Sequence, residues 1–233
     1  MLLDAALDLL LGGRCVGCER PGRALCAGCA AGLPAVGRPA WPIPVPPGLA
    51  PPWAADEYAG TVRAMVLAHK ERRVLPLGRP LARLLAAAVV AAEIDGPLVL
   101  VPVPSRPSTV RARGHDPTRS VTALAARLLD VPVVPLLRTR AGVLDQAGLN
   151  AQERSANLAG SLCCPSEGLR RLARRLPQGR VVVCDDVITT GATAREAQRA
   201  LESVGLSVAA IAAIAATRRI SPGRALSPAG VND

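Results

Sequence analysis

The chain has 233 residues, half of them apolar, and carries 28 Lys and Arg against 18 Asp and Glu, a formal net charge of +10. That apolar fraction argues against a disordered chain, and the length is enough to bury a sizeable core. There is no Phe, and the aromatics are Trp41, Trp53 and Tyr58, so the core is aliphatic and a stacking platform for single-stranded nucleic acid is disfavoured. The positive charge, almost all arginine, favours anionic partners: phosphates, nucleic acid or acidic proteins.

The first residues, MLLDAALDLLLGGRC, read as a short amphipathic helix; Asp4, Asp8 and the missing basic leader argue against a signal peptide. No apolar run reaches the roughly 20 residues a membrane span requires. The expectation is a cytoplasmic protein with no membrane span, whose cysteines are thiols or metal ligands. Cys15-Val-Gly-Cys18 and Cys26-Ala-Gly-Cys29 form two CxxC knuckles, a ligand set for tetrahedral zinc. All four positions would be filled by protein, so the zinc is expected to be structural. A disulfide or redox role is the alternative, but a segment this short has too little core to fold without a metal. Cys163, Cys164 and Cys184 lack partners at ligand spacing and read as plain thiols.

Residues 34–55 are dense in proline and read as an extended connector of polyproline character. Beyond them, strand and helix patterns alternate. Helices are expected over 60–69 and 78–94, a strand over 97–103, a basic loop over 106–118 and a helix over 119–129. A strand over 131–137, a basic helix over 167–176, a strand over 180–184, a helix over 193–204 and a strand over 206–214 follow. Short apolar strands alternating with amphipathic helices predict an α/β fold with a parallel sheet covered on both faces. The expected organisation is residues 1–33 as helix and cysteine knuckle, 34–55 as connector, 56–220 as the main domain and 221–233 as a flexible tail. His69 and His115 are too scattered to suggest a histidine-based active site. Lys70, the only lysine, is a candidate for meeting a phosphate, and Tyr58 reads as a packing residue.

In parallel α/β sheets, ligands bind at the carboxyl ends of the strands. There the segment RVVVCDDVITTGATAREAQRAL, residues 180–201, places Asp185 and Asp186 side by side, ahead of the small-residue loop Thr189-Thr190-Gly191-Ala192-Thr193 and a helix. A loop of this kind entering a helix N-terminus presents backbone N–H groups to a phosphate. Carboxylates would repel a phosphate but suit sugar hydroxyls or a Mg²⁺ held partly through water. One aspartate in this place would commonly be a helix cap; two, with this loop, suit a ligand with a phosphate at one end and a ribose diol or a metal beside it. Both can reach one ligand only if the strand ends between them, because consecutive strand residues face opposite sides.

The stretch VVVCDDVITTGAT resembles the 5-phosphoribosyl-1-pyrophosphate (PRPP) motif of type I phosphoribosyltransferases. The resemblance implies that Asp185 and Asp186 contact the ribose hydroxyls, that Thr189, Thr190, Gly191, Ala192 and Thr193 hold the 5′-phosphate, and that Mg²⁺ accompanies the ligand. It also places Ser105 and Arg106, after the 97–103 strand, where the pyrophosphate loop lies in such enzymes. Arg111, Arg113 and Arg119 follow, in a side chain suited to phosphate oxygens. The order of these parts, with the cysteine pairs and a Gln146, Leu149, Arg154, Asn157 segment, resembles the ComF/GntX family. One departure stands out: members usually read Arg-Gly-Phe-Asn-Gln where this chain has Arg113-Gly114-His115-Asp116-Pro117, which removes the amide donors. The family resemblance implies a type I phosphoribosyltransferase-like parallel sheet flanked by helices, with a small N-terminal zinc-knuckle appendage. It implies phosphoribosyl transfer to a nitrogen acceptor, with Asp185, Asp186 and Arg106 as catalytic residues, or alternatively a non-catalytic PRPP- or DNA-binding role linked to DNA uptake.

Overall fold

A computed structural model describes residues 13–105, 107–140, 160–176 and 178–217. Arg106, the Gln146–Asn157 segment, the N-terminal helix reading and the C-terminal tail lie outside the described residues. The central sheet has five strands in the order β1-β2-β7-β6-β3. These are β1 (Arg38–Pro39), β2 (Pro52–Glu57), β3 (Leu98–Pro102), β6 (Arg180–Ile188) and β7 (Val208–Ala216). Only the β1–β2 edge is antiparallel. The α/β architecture with a mostly parallel, helix-flanked sheet is the one anticipated.

Period-two alternation divides the core in two. Val182, Cys184, Ala212 and Ile214 face α2 (Gly60–Arg72), α3 (Gly78–Ala91) and α5 (Pro117–Leu129), where Met65, Leu81, Leu85 and Val121 pack on them. Val181, Val183, Ile211 and Ala213 face α6 (Ser166–Arg175) and α7 (Ala192–Glu202), against Leu172, Ala197 and Leu201. Alanines recur along β7, and their small side chains let both helix layers approach the middle of an aliphatic sheet. A short α1 (Ala27–Ala31) belongs to the cysteine knuckle, and β4 (Arg138–Thr139) pairs antiparallel with β5 (Leu162–Cys163) as a separate ribbon.

Several elements differ from the sequence expectation, each for a local reason. β6 runs on past Cys184 to Ile188, because β7 offers paired backbone as far as Ile188↔Ala216. The expected strand over 131–137 reduces to one parallel bridge, Leu100↔Val133, since Pro132 and Pro135 cannot donate to a ladder. Residues expected as a basic loop contain a helix, α4 (Pro107–Arg113), in which proline takes the first position and Arg and Ala carry the turn. Proline-rich residues 34–55 contain β1 and most of β2, with Pro52 tolerated as the first residue of its strand. Gln198 of α7 fastens the same stretch, accepting from Ala50 N at 2.9 Å and donating to Gly48 O at 2.8 Å, while Arg195 Nε donates to Pro47 O at 3.0 Å. Among the described residues no helix is long and apolar enough to cross a membrane.

Candidate functional site

β6 carries the acid pair beyond the point where its neighbour stops. Pro102 pairs with Cys184, and Val103 N donates to Cys184 O at 2.8 Å; past that bond β3 leaves the sheet. The N–H of Asp186 faces the vacated edge, and the Asp185 carboxylate turns back to accept it at 2.8 Å. Asp186 repeats the device, its Oδ1 accepting from Val187 N at 2.8 Å. The strand therefore does not end between the two acids. Asp186 shares the face of Cys184 and Val182 and ion-pairs with Lys70 of α2, while Asp185 reaches the same spot by folding back.

Both carboxyl groups line one small space of about 10 Å³, with room for little more than a water, together with His69, Lys70, Pro117 and Thr118. Burial first, and then the neighbouring Asp186 charge, push the Asp185 carboxyl well above the usual carboxylate range. Burial works against the charge on Lys70, yet the Asp186 carboxylate and its hydrogen bond, with Asp185 behind, outweigh it and hold the ammonium above its ordinary value. His69 is lowered by burial and then by His115, whose ring meets it edge-on at 5.7 Å between centroids. The side chain expected to meet a phosphate thus meets a carboxylate, and the two scattered histidines lie together beside it. Sequence spacing carried no signal of either contact.

After β6 the chain passes the exposed Thr189 and the half-buried Thr190 into α7. Gly191 is the N-cap at φ +74° and has no side chain to cap the helix. Thr190 Oγ1 instead lies 3.4 Å from Ala192 N, and Ala192 and Thr193 form the first turn. A Cβ built on Gly191 would lie 2.9 Å from Pro42 Cγ and 3.3 Å from Pro46 Cγ. The proline-rich stretch therefore braces the outside of this loop.

Ser105 sits three residues past the Pro102↔Cys184 pair, on the strand end next to the acid pair. Asp116 holds it: the carboxylate accepts from Ser105 Oγ at 3.0 Å and Ser105 N at 3.3 Å, and caps α5 through Arg119 N at 3.1 Å. The next residues, Pro117 and Thr118, line the acid-pair space. Asp116 thus links the two parts of the site. Its signature, an Asp before a helix-initiating Pro, is legible in the sequence. A cleft of about 510 Å³ opens beside Ser105 and is lined by Arg111, Arg119, Arg138 and the acidic Glu167, with prolines and aliphatics between them. Among the described residues Arg111 and Arg119 have no acidic partner, and Arg138 stands 3.9 Å from Glu167. Arg113 is spent elsewhere, on Glu71 at 2.5 and 3.0 Å.

At the other end, the sulfurs of Cys15, Cys18, Cys26 and Cys29 all lie within 4.8 Å of one another, with Cys18 and Cys26 3.6 Å apart. Tetrahedral zinc at about 2.3 Å from each sulfur needs edges of about 3.8 Å, so this set fits the ion. The seven cysteines are free of disulfides. Burial alone would raise the Cys15 thiol, but backbone N–H groups of Cys26, Cys18 and Gly17 outweigh it and bring it down to about 6. Side-chain hydrogen bonds with Cys26 and then Cys15, followed by burial, push the Cys29 thiol up to about 12. Gly17 is required here: a Cβ would lie 2.9 Å from Cys29 Sγ and from Thr61 Cγ2. The knuckle is docked on the main core through Val16, Ala24 and Leu25.

No protein-family model matches the chain. It is 29% identical over 154 residues to Competence protein F of Haemophilus influenzae, an alignment covering 64% of this chain and 65% of that protein. Together with the four-cysteine cluster, this similarity supports the ComF-family resemblance.

Proposed function

We propose that this ComF-type chain binds PRPP at the carboxyl ends of β3 and β6 and transfers its phosphoribosyl group to a nitrogen acceptor. The observation that carries the reading is the acid pair itself: two carboxyl groups brought to one spot beside the point where β3 leaves the sheet, one of them paired with Lys70, shortly ahead of the N-terminus of α7. Such carboxylates accept hydrogen bonds from the hydroxyls of a sugar diol, while backbone N–H groups from Thr189 to Thr193 take the 5′-phosphate. Ser105 and Arg106, with Arg111 and Arg119, which have no acidic partner among the described residues, receive the diphosphate. In the transfer step the C1–O bond breaks and its electron pair leaves on pyrophosphate. The acceptor nitrogen bonds to C1 and loses a proton. Positioning and the guanidinium charges near Ser105 supply the catalysis. Mg²⁺ enters this reading only as a counter-ion of the diphosphate, because Lys70 already occupies the Asp186 carboxylate. Zinc is a structural ion of the cysteine knuckle.

Calorimetric titration of PRPP into the zinc-loaded wild type and into Asp185→Asn/Asp186→Asn tests the site, and pyrophosphate release tests the transfer. Saturable wild-type binding that is lost in the double variant is the expected result; no wild-type binding refutes the reading. The second reading is a competence-related accessory protein that binds without turnover, favoured by the similarity to Competence protein F and by the net charge of +10. It predicts ligand binding without pyrophosphate release, and DNA binding whose affinity falls steeply with salt.

A further inference from the structure

The acid pair holds a cation that belongs to the chain. Lys70 is the only lysine in a protein whose other cationic side chains, the histidines apart, are all arginines. It reaches Asp186 from α2, and its side chain keeps only a third of its exposure. The next residue, Glu71, is clamped by Arg113 at 2.5 and 3.0 Å, which ties this end of α2 to the segment following Ser105. Asp186 Oδ1 is engaged by Val187 N and its Oδ2 by Lys70 Nζ, while Asp185 Oδ1 is engaged by Asp186 N. Mg²⁺ demands near-octahedral oxygen at about 2.0–2.1 Å and usually keeps several waters. With Lys70 Nζ already on Asp186 Oδ2, a divalent ion on that carboxylate would have to displace the chain's own ammonium.

We infer that Lys70 is the built-in counter-ion of the Asp185–Asp186 pair, so that a sugar phosphate binds there with no divalent cation on the carboxylates. This rests on the phosphoribosyl reading above and specifies how its ribose end is recognised. Lys70 is a positioning residue. It fixes the Asp186 carboxylate and offsets the repulsion between two acids and an incoming phosphate. A compact ammonium suits the narrow space; the planar fork of arginine does not.

The probe is ribose 5-phosphate, which lacks the diphosphate that would bring its own Mg²⁺. It is titrated into the full-length zinc-loaded protein, in buffer stripped of divalent ions by resin so that the knuckle keeps its zinc, and again with millimolar Mg²⁺. Wild type is expected to bind alike in both buffers. Lys70→Met is expected to bind more than about tenfold more weakly without Mg²⁺, the loss of a charge-assisted contact, and to recover when Mg²⁺ fills the vacated place. Lys70→Arg is expected to stay weak without Mg²⁺. A wild type that binds only with Mg²⁺ overturns the inference and leaves the phosphoribosyl reading standing, and this arm needs no variant to fold. Lys70→Met that binds like wild type, or whose loss Mg²⁺ does not repair, overturns it as well. If neither ribose 5-phosphate nor PRPP binds wild type in either buffer, the phosphoribosyl reading itself fails and takes the inference with it.

Discussion

Replacing Gly191 with alanine asks whether the proline-rich stretch really braces the loop after the acid pair. The backbone there has φ +74°, which costs an L-residue about 1–2 kcal/mol. The new methyl would also meet Pro42 Cγ at 2.9 Å, Pro46 Cγ at 3.3 Å and Leu49 Cδ2 at 3.4 Å. Proline rings cannot rotate aside, so an overpacking cost of about 1–3 kcal/mol adds to the first, for a total of about 2–5 kcal/mol. Gly205 supplies the control: its φ is +83° and nothing lies within 4 Å of its would-be Cβ. Gly205→Ala should therefore show the backbone cost alone, about 1–2 kcal/mol. The assay is urea unfolding of both variants with zinc present, comparing midpoints at constant slope. Ribose 5-phosphate affinity should fall in Gly191→Ala and hold in Gly205→Ala. Equal stability losses would refute the reasoning, since residues 42–49 would then yield to the methyl without cost.

Glu196, only 4% exposed, bonds Leu162 N at 2.9 Å and Arg199 Nε at 2.7 Å, so Glu196→Gln should cost about 2 kcal/mol near neutral pH. Burial alone would raise its carboxyl, but the Arg199 hydrogen bonds and Leu162 N–H outweigh burial and hold it below the ordinary value. Its contribution is therefore full above the unfolded carboxyl range and lost as pH falls through the lowered folded value; a stability gap that does not close in acid would contradict this. Asp116→Ala removes the cap of α5 and both bonds to Ser105, and should lower stability by about 1 kcal/mol and weaken PRPP more than ribose 5-phosphate. Equal weakening of the two ligands would show that Ser105 does not face the diphosphate. Cys15→Ser, or stripping the metal, should release one zinc per chain and lower the thermal midpoint, because the knuckle packs on the main core. Elemental analysis and a thermal melt check both, and a zinc-free protein of unchanged midpoint would disprove it.

What the sequence determined by itself is local. Three β-branched valines, two acids, a small-residue loop and an Ala-rich helix follow one another as read, because strand propensity, turn chemistry and helix periodicity act within a few residues. The four cysteines announce their cluster by spacing alone. The Ala- and Leu-rich stretch after Gly78 forms its helix with Leu81, Leu85 and Val89 inward, as its period requires.

What the tertiary structure decided is which of these pieces meet. β6 passes through both acids because β7 lies beside it, a fact of pairing and not of propensity. The same vacated edge that lets Asp185 fold back exists because β3 ends at Pro102. Lys70 finds Asp186, His69 finds His115, and Asp116 finds Ser105 only once α2 and α5 pack on one face of the sheet. The prolines that read as a connector brace Gly191 because Gln198 and Arg195 hold their carbonyls. Charge, period and capping are written along the chain, whereas the partner of a buried charge is fixed by packing between elements far apart in sequence.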